Sequence, residues 1–102
     1  MNNQPDHSIC FALYDSELRD EMFMLLELAQ IKNYTQFYGL KGSSDQGKKE
    51  DSVSWPGSNE ILMLAMSSEE KKRFKDEVKR FREERSQPPG LLVLNWDVKE
   101  MF

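Results

Sequence analysis

Apolar residues in this chain fall into blocks, and their spacing separates strands from helices. His7-Ser-Ile-Cys-Phe-Ala-Leu-Tyr14 is a continuous apolar run of strand length. From Glu17 to about Ile31, Leu18, Met22, Leu25 and Ala29 recur on one stripe that Phe23 and Leu26 widen, which predicts an amphipathic helix. Asp15 or Ser16 stands where a cap belongs, and Asn33 where the helix should stop. Tyr34-Thr-Gln-Phe-Tyr-Gly-Leu40 reads as an aromatic-rich second strand, and Glu60-Ile-Leu-Met-Leu-Ala-Met66 as a third. Ser67-Ser-Glu-Glu70 matches a capping box. Phe74, Val78 and Phe81 stripe the helix behind it, which is charged to about Arg85 before Gln87-Pro-Pro-Gly90 ends it. Leu91-Leu-Val-Leu-Asn-Trp-Asp-Val98 is a last strand.

The predicted order is β-α-β-β-α-β, an α+β ferredoxin-like sandwich in which two helices cover one face of a four-stranded antiparallel sheet. Residues 1–102 are expected to form a single domain of this kind, with the first and third strands central and the second at an edge. A sheet covered on one face should alternate apolar and polar residues. These strands do not. Ile9, Phe11 and Leu13 oppose Cys10, Ala12 and Tyr14; Ile61, Met63 and Ala65 oppose Leu62, Leu64 and Met66; Leu91 and Val93 oppose Leu92, Leu94 and Trp96. Large exposed apolar patches are rare on soluble monomers, so the second face is expected to be buried by other copies of the chain. Helical runs, or termini folded over the sheet, are the alternative.

Charge narrows the function classes. Fourteen basic and eighteen acidic residues give a net charge of −4, which argues against a nucleic-acid partner bound through counterion release. No run approaches the roughly 20 apolar residues of a membrane helix, so no membrane insertion is expected. The opening Met-Asn-Asn-Gln-Pro-Asp-His does not read as a signal peptide, and a reducing, cytoplasmic location is the default for one cysteine. His7 and Cys10 would lie on opposite faces of their strand, so no metal site is expected. No catalytic residue is assigned: a polar group inside the apolar layers would have to be Asn95, Tyr14 or Tyr38. Met22, Met24, Met63 and Met66 read as core filling. In the second helix, Asp76 with Arg80 and Lys79 with Glu83 stand at i,i+4 spacing.

The segment at about 41–58 is too long for a strand connection without a role of its own. It carries Lys41, Lys48 and Lys49, with Gly42, Gly47 and Gly57 and the bulky Trp55. Glycine and serine give its tip little to bury, so residues 41 to about 54 are expected to be mobile without ligand, with 55–59 ordered. Lys41 beside Gly42 can present an ammonium and unhindered backbone N–H groups to one negative group.

Leu40-Lys-Gly42, the polar stretch after it and Trp55-Pro-Gly-Ser-Asn59 together resemble the nitrogen-regulatory PII and PII-like signalling proteins. The resemblance implies a homotrimer of ferredoxin-like subunits with a small-molecule effector bound in the clefts between them. It also implies that the long loop contacts a target protein. The candidate ligand-binding residues are Lys41, Gly42, Gly47, Lys48, Lys49, Trp55, Gly57 and Asn59. The glycine motif after the second strand is incomplete, with Ser44 where a second glycine is expected, and nothing after Met66 resembles a phosphate loop. A nucleotide is therefore compatible with the family but not with a phosphate-loop motif. The expected function is a non-enzymatic sensor of a small anionic ligand. A small ferredoxin-like monooxygenase-type enzyme and a ligand-free interaction module are the alternatives.

Overall fold

The computed structural model describes residues 6–41, 43–44, 47–48 and 58–102, with backbone only at 43–44 and 47–48. In chain order the strands are β1 (His7–Asp15), β2 (Tyr34–Leu40), the two-residue β3 (Ser43–Ser44) and β4 (Gly47–Lys48), β5 (Asn59–Ser67) and β6 (Leu91–Asp97). The four long strands form the main sheet in the order β2-β5-β1-β6, with every pairing antiparallel. Helices α1 (Arg19–Leu28) and α2 (Ser68–Glu83) pack on one face, so the predicted α+β ferredoxin-like arrangement is what the chain adopts. The most continuously apolar strands, β1 and β5, are central, and β2 is an edge. The stretch after Leu40 is not wholly irregular, because β3 pairs antiparallel with β4.

The layer between sheet and helices is the core. Cys10, Ala12 and Tyr14 of β1 and Leu62, Leu64 and Met66 of β5 meet Met22, Leu25 and Leu26 of α1 and Phe74, Val78 and Phe81 of α2. Burial in this layer pushes the Cys10 thiol up to about 11, so it behaves as a small apolar residue.

Register fixes what lies on the other face. Phe11 pairs with Met63 and Leu94, Leu13 with Ile61 and Leu92, and Ile9 with Ala65 and Trp96, and such partners project to the same side. Leu92, Leu94, Trp96 and Phe37 are each more than 40% exposed there, and Phe11 meets Trp96 edge-to-face at 5.6 Å between ring centres. The uncovered face is therefore apolar across all four strands.

Several local expectations change. Helix α1 does not begin from a side-chain cap at Asp15 or Ser16. A 3-10 turn at Ser16–Leu18 precedes it, and Asp15 makes no capping bond because its side chain is buried. Met24 is 58% exposed rather than in the core, because it points away from the stripe of Met22, Leu25 and Leu26, and Met63 lies on the open sheet face. Arg80 pairs with Glu77, not Asp76, at 2.8 Å. The capping box is as read: Ser67 Oγ accepts from the Glu70 N–H at 3.2 Å, and Glu70 Oε1 accepts from the Ser67 N–H at 3.0 Å.

Helix α1 ends earlier than its apolar stripe, in a Schellman motif. The Gln30 N–H donates to the Glu27 carbonyl, and the Ile31 N–H donates to the Leu26 carbonyl at 2.9 Å. Gln30 carries the left-handed conformation, φ 58°, where glycine is usual. Gln30→Gly should raise the unfolding free energy by about 0.5–1 kcal/mol, since relief of left-handed strain exceeds the added entropy of the unfolded chain. Urea denaturation measures this; a loss of stability would mean that the glutamine side chain contributes more than its backbone costs.

Candidate functional site

All four long strands place one terminus at the same end of the sheet. There β1 finishes at Asp15, β2 finishes at Leu40 opposite Asn59, and β6 begins at Leu91 opposite Tyr14. The 41–58 segment leaves and returns at this end, and helix α1 starts beside it. The backbone is tied across it: the Asp15 N–H donates to the Gly90 carbonyl at 3.0 Å, and the Ser16 N–H to the Ser58 carbonyl at 3.1 Å. Ser58 Oγ and Ser16 Oγ lie 2.8 Å apart as a hydrogen-bonded pair. Gly90 packs directly on Asp15, where an added Cβ would stand 1.9 Å from a carboxylate oxygen. Only glycine lets the α2–β6 connection approach so closely.

The interior at this end carries a buried charge and the groups that bond to it. Glu60 sits on the helix-facing side of β5, in line with Leu62 and Leu64, and is 1% exposed. A buried carboxylate is costly unless it is paired and hydrogen-bonded. Arg19, the first residue of α1, supplies the pair: its Nε donates to both carboxylate oxygens, at 3.0 and 2.9 Å, and its Nη2 forms an ion pair with Oε2. Gln36 of β2 donates from Nε2 to Glu60 Oε1 at 3.1 Å and to the Tyr14 hydroxyl at 3.2 Å. The Tyr38 ring lies 5.4 Å from the guanidinium centre, and the Arg19 side chain is 48% exposed. One charge is thus sealed in the protein while its partner is half-exposed.

Hydrogen bonding to Arg19 holds the Glu60 carboxyl below its ordinary value, against the opposing effect of burial, with Tyr14 and Gln36 adding to the stabilisation. The Tyr14 hydroxyl is pushed up, first by burial and then by Glu60. Within the cluster the Glu60 carboxylate is held charged against Arg19 as a structural ion pair.

The sequence-derived candidates divide. Lys41 is exposed at the end of β2, and Asn59 is buried opposite Leu40. Gly47 and Lys48 form the short β4 strand. Gly42, Lys49, Trp55 and Gly57 lie outside the described residues, as does most of the stretch from 41 to about 54 expected to be mobile. Of the polar groups expected in the apolar layers, Tyr14 is buried and hydrogen-bonded, whereas Tyr38 and Asn95 are exposed. Sequence reasoning missed Glu60 and Arg19. The signal was an acidic residue opening an apolar strand, in phase with Leu62, Leu64 and Met66. Among the described residues, no group of His, Cys, Asp or Glu is arranged to hold a metal, and no helix is long and apolar enough to cross a membrane.

Comparison with known proteins places this geometry. No protein-family model matches the chain, and no curated protein matches it by sequence. Solved structures do match. CPII, a nitrogen regulatory PII-like protein from Thiomonas intermedia K12 solved with ADP, AMP and bicarbonate, is 18% identical with a TM-score of 0.68, over 90% of this chain and 91% of that one. A protein described as PII-like and signalling from Thermus thermophilus is 17% identical, with a TM-score of 0.61 over 90% and 86%. A functionally unknown protein from Pediococcus pentosaceus ATCC 25745 is 11% identical, with a TM-score of 0.63 over 95% and 96%. The chain is an α+β ferredoxin-like protein. Its particular fold is the one found in PII-like signalling proteins.

Because the folded Glu60 pKa lies below the unfolded value near 4.5, the pairing stabilises fully above that value and is lost as pH falls through the folded pKa. The stability difference between the native chain and Glu60→Gln should be largest near pH 7 and shrink on acidification. Urea unfolding of both proteins across pH 7 to 3 measures it; a difference independent of pH would contradict a charged Glu60.

Proposed function

We propose that this chain is a divergent PII-like regulatory protein. In this reading residues 1–102 form one domain, which assembles as a cytoplasmic homotrimer and binds a small anionic effector in the clefts between subunits. The 41–58 segment reports occupancy to a target protein. No step of chemistry on the ligand is part of this reading.

The observation that carries it is the polar construction of the loop-bearing end. Here Glu60, Gln36 and Tyr14 are bonded into a network inside the layer between sheet and helices, and Arg19 shows half its side chain to the outside. Such a network ties the roots of β2, β5 and α1 together, which is what a segment transmitting ligand state to a partner requires. Lys41 adds a second exposed cation at the end of β2. The ADP, AMP and bicarbonate present in CPII are anions, and the candidate residues of this reading, Lys41, Gly42, Gly47, Lys48, Lys49, Trp55, Gly57 and Asn59, include three lysines that suit that class. The phosphate-loop signature absent from the sequence favours a small anion over a tightly held triphosphate.

A thermal-shift series with bicarbonate, AMP and ADP tests the reading. At least one should raise the melting temperature saturably, and Lys41→Ala should weaken that ligand about tenfold or more, as expected for a lost charge-assisted contact. Lys75→Ala on the surface of α2 should leave binding unchanged. Equal, small effects of the two substitutions would reduce Lys41 to a solubilising residue at a strand end.

A further inference from the structure

A second concave site lies away from the loop-bearing end, where α1 finishes and the chain turns into β2. It is a cleft of about 700 Å³. Phe23, Leu26 and Glu27 line it from α1 at i, i+3 and i+4, one face of the helix, Gln30 lines it from the turn that ends α1, and Arg73 reaches in from α2. From the β2 side come Lys32 and Tyr34. The Phe23 and Tyr34 rings meet edge-to-face at 5.4 Å between centres and make an aromatic wall.

The charges in this cleft are arranged unusually. Arg73 donates from Nε to the Ala29 carbonyl at 2.8 Å. That bond fixes the plane of the guanidinium and leaves its two terminal amino groups without a partner among the described residues. Glu27 lines the same cleft, yet it forms no ion pair with Arg73 or with any other described residue, and neither does Lys32. On α2 one pair of opposite charges, Arg80 and Glu77, does close to 2.8 Å. The cleft therefore holds a guanidinium whose two terminal amino groups have no partner among the described residues, together with an ammonium and a carboxylate outside any described ion pair, next to an aromatic wall.

A ligand complementary to that set carries a carboxylate, an ammonium and an apolar or aromatic side chain. We propose that this cleft binds a free α-amino acid. Its carboxylate meets Arg73 and Lys32, its ammonium meets Glu27, and its side chain lies against Phe23 and Tyr34. The planar guanidinium matches a carboxylate through two parallel N–H donors, which a lysine alone cannot do. A simple anion would leave Glu27 opposed to it, and a simple amine would face two cations. Only the zwitterion satisfies all three charges. The site is independent of Lys41 and of the loop-bearing end, so it gives the fold a second effector position.

Isothermal titration calorimetry of the whole protein with L-phenylalanine, 3-phenylpropionate and 2-phenylethylamine tests this. L-phenylalanine should bind saturably, and each analogue, lacking one charge, about tenfold or more weakly. Glu27→Gln, at an exposed residue outside the core, should weaken phenylalanine to a similar degree, and Lys41→Ala should leave it unchanged. Chemical-shift changes should centre on backbone amides 27–34. Absence of saturable binding up to about 10 mM, where affinity falls below useful recognition, would overturn the proposal. So would analogues that bind as tightly as the amino acid, or an unaffected Glu27→Gln protein. Loss of phenylalanine binding in Lys41→Ala would move the ligand to the loop-bearing end and equally refute this site.

Discussion

Two helices can cover one face of a four-stranded sheet, and this sheet is apolar on both. The constraint comes from the sequence of β1, β5 and β6, in which large apolar residues occupy alternate and intervening positions alike. Antiparallel register then gathers Phe11, Leu13, Ile61, Met63, Phe37, Leu92, Leu94 and Trp96 on the side away from the helices. Each large side chain withdrawn from water there is worth up to about 1.5–3 kcal/mol. Contact with further copies of the same chain is the simplest stable use for so continuous a patch. In the proposed assembly, with copies on the open face and the core on the helix face, the ends and edges of the sandwich are what is left for ligand recognition, and both proposed sites lie there.

The end of the sheet where β2 finishes and β5 begins shows how the chain accommodates a buried charge in a packed interior. Asp15, Asn59 and Glu60 are buried polar residues at the point where apolar strands give way to the polar 41–58 stretch. Glu60 is tolerated because Arg19 and Gln36 meet its carboxylate, and Arg19 is placed to do so by the 3-10 turn that starts α1 one turn late. The Gly90–Asp15 approach draws the start of β6 into the same knot. The roots of the segment are thereby held by hydrogen bonds and an ion pair between elements far apart in sequence.

Much of the fold was legible in the sequence, and the reasons are local. The capping box at Ser67 and Glu70, the stripe of Phe74, Val78 and Phe81, and the Pro-Pro-Gly stop each act within a few residues, so pattern alone reveals them. The central place of β1 and β5 followed from the β-α-β-β-α-β topology, with which their continuous apolar runs agree. What escaped was set by contacts across the fold. Glu60 looks like the polar edge of an apolar run until Arg19, 41 positions away, is brought against it. The cleft beside Arg73 depends on a residue 44 positions from its hydrogen-bond partner Ala29. Met24 resembles a core residue because composition ignores the angular position that puts it opposite the buried stripe. The apolar stripe overruns the end of α1 because Ala29 and Ile31 remain buried beyond the last helical turn, through the Schellman motif.

The covering of the open sheet face by other copies is the central claim, and solution mass reports on it directly. Light scattering coupled to size exclusion should give about three times the 12.0 kDa chain mass at micromolar concentration, and Leu94→Asp, on the open face, should dissociate the assembly without unfolding the sandwich. A native chain that elutes as a monomer of 12.0 kDa across that range would contradict the account.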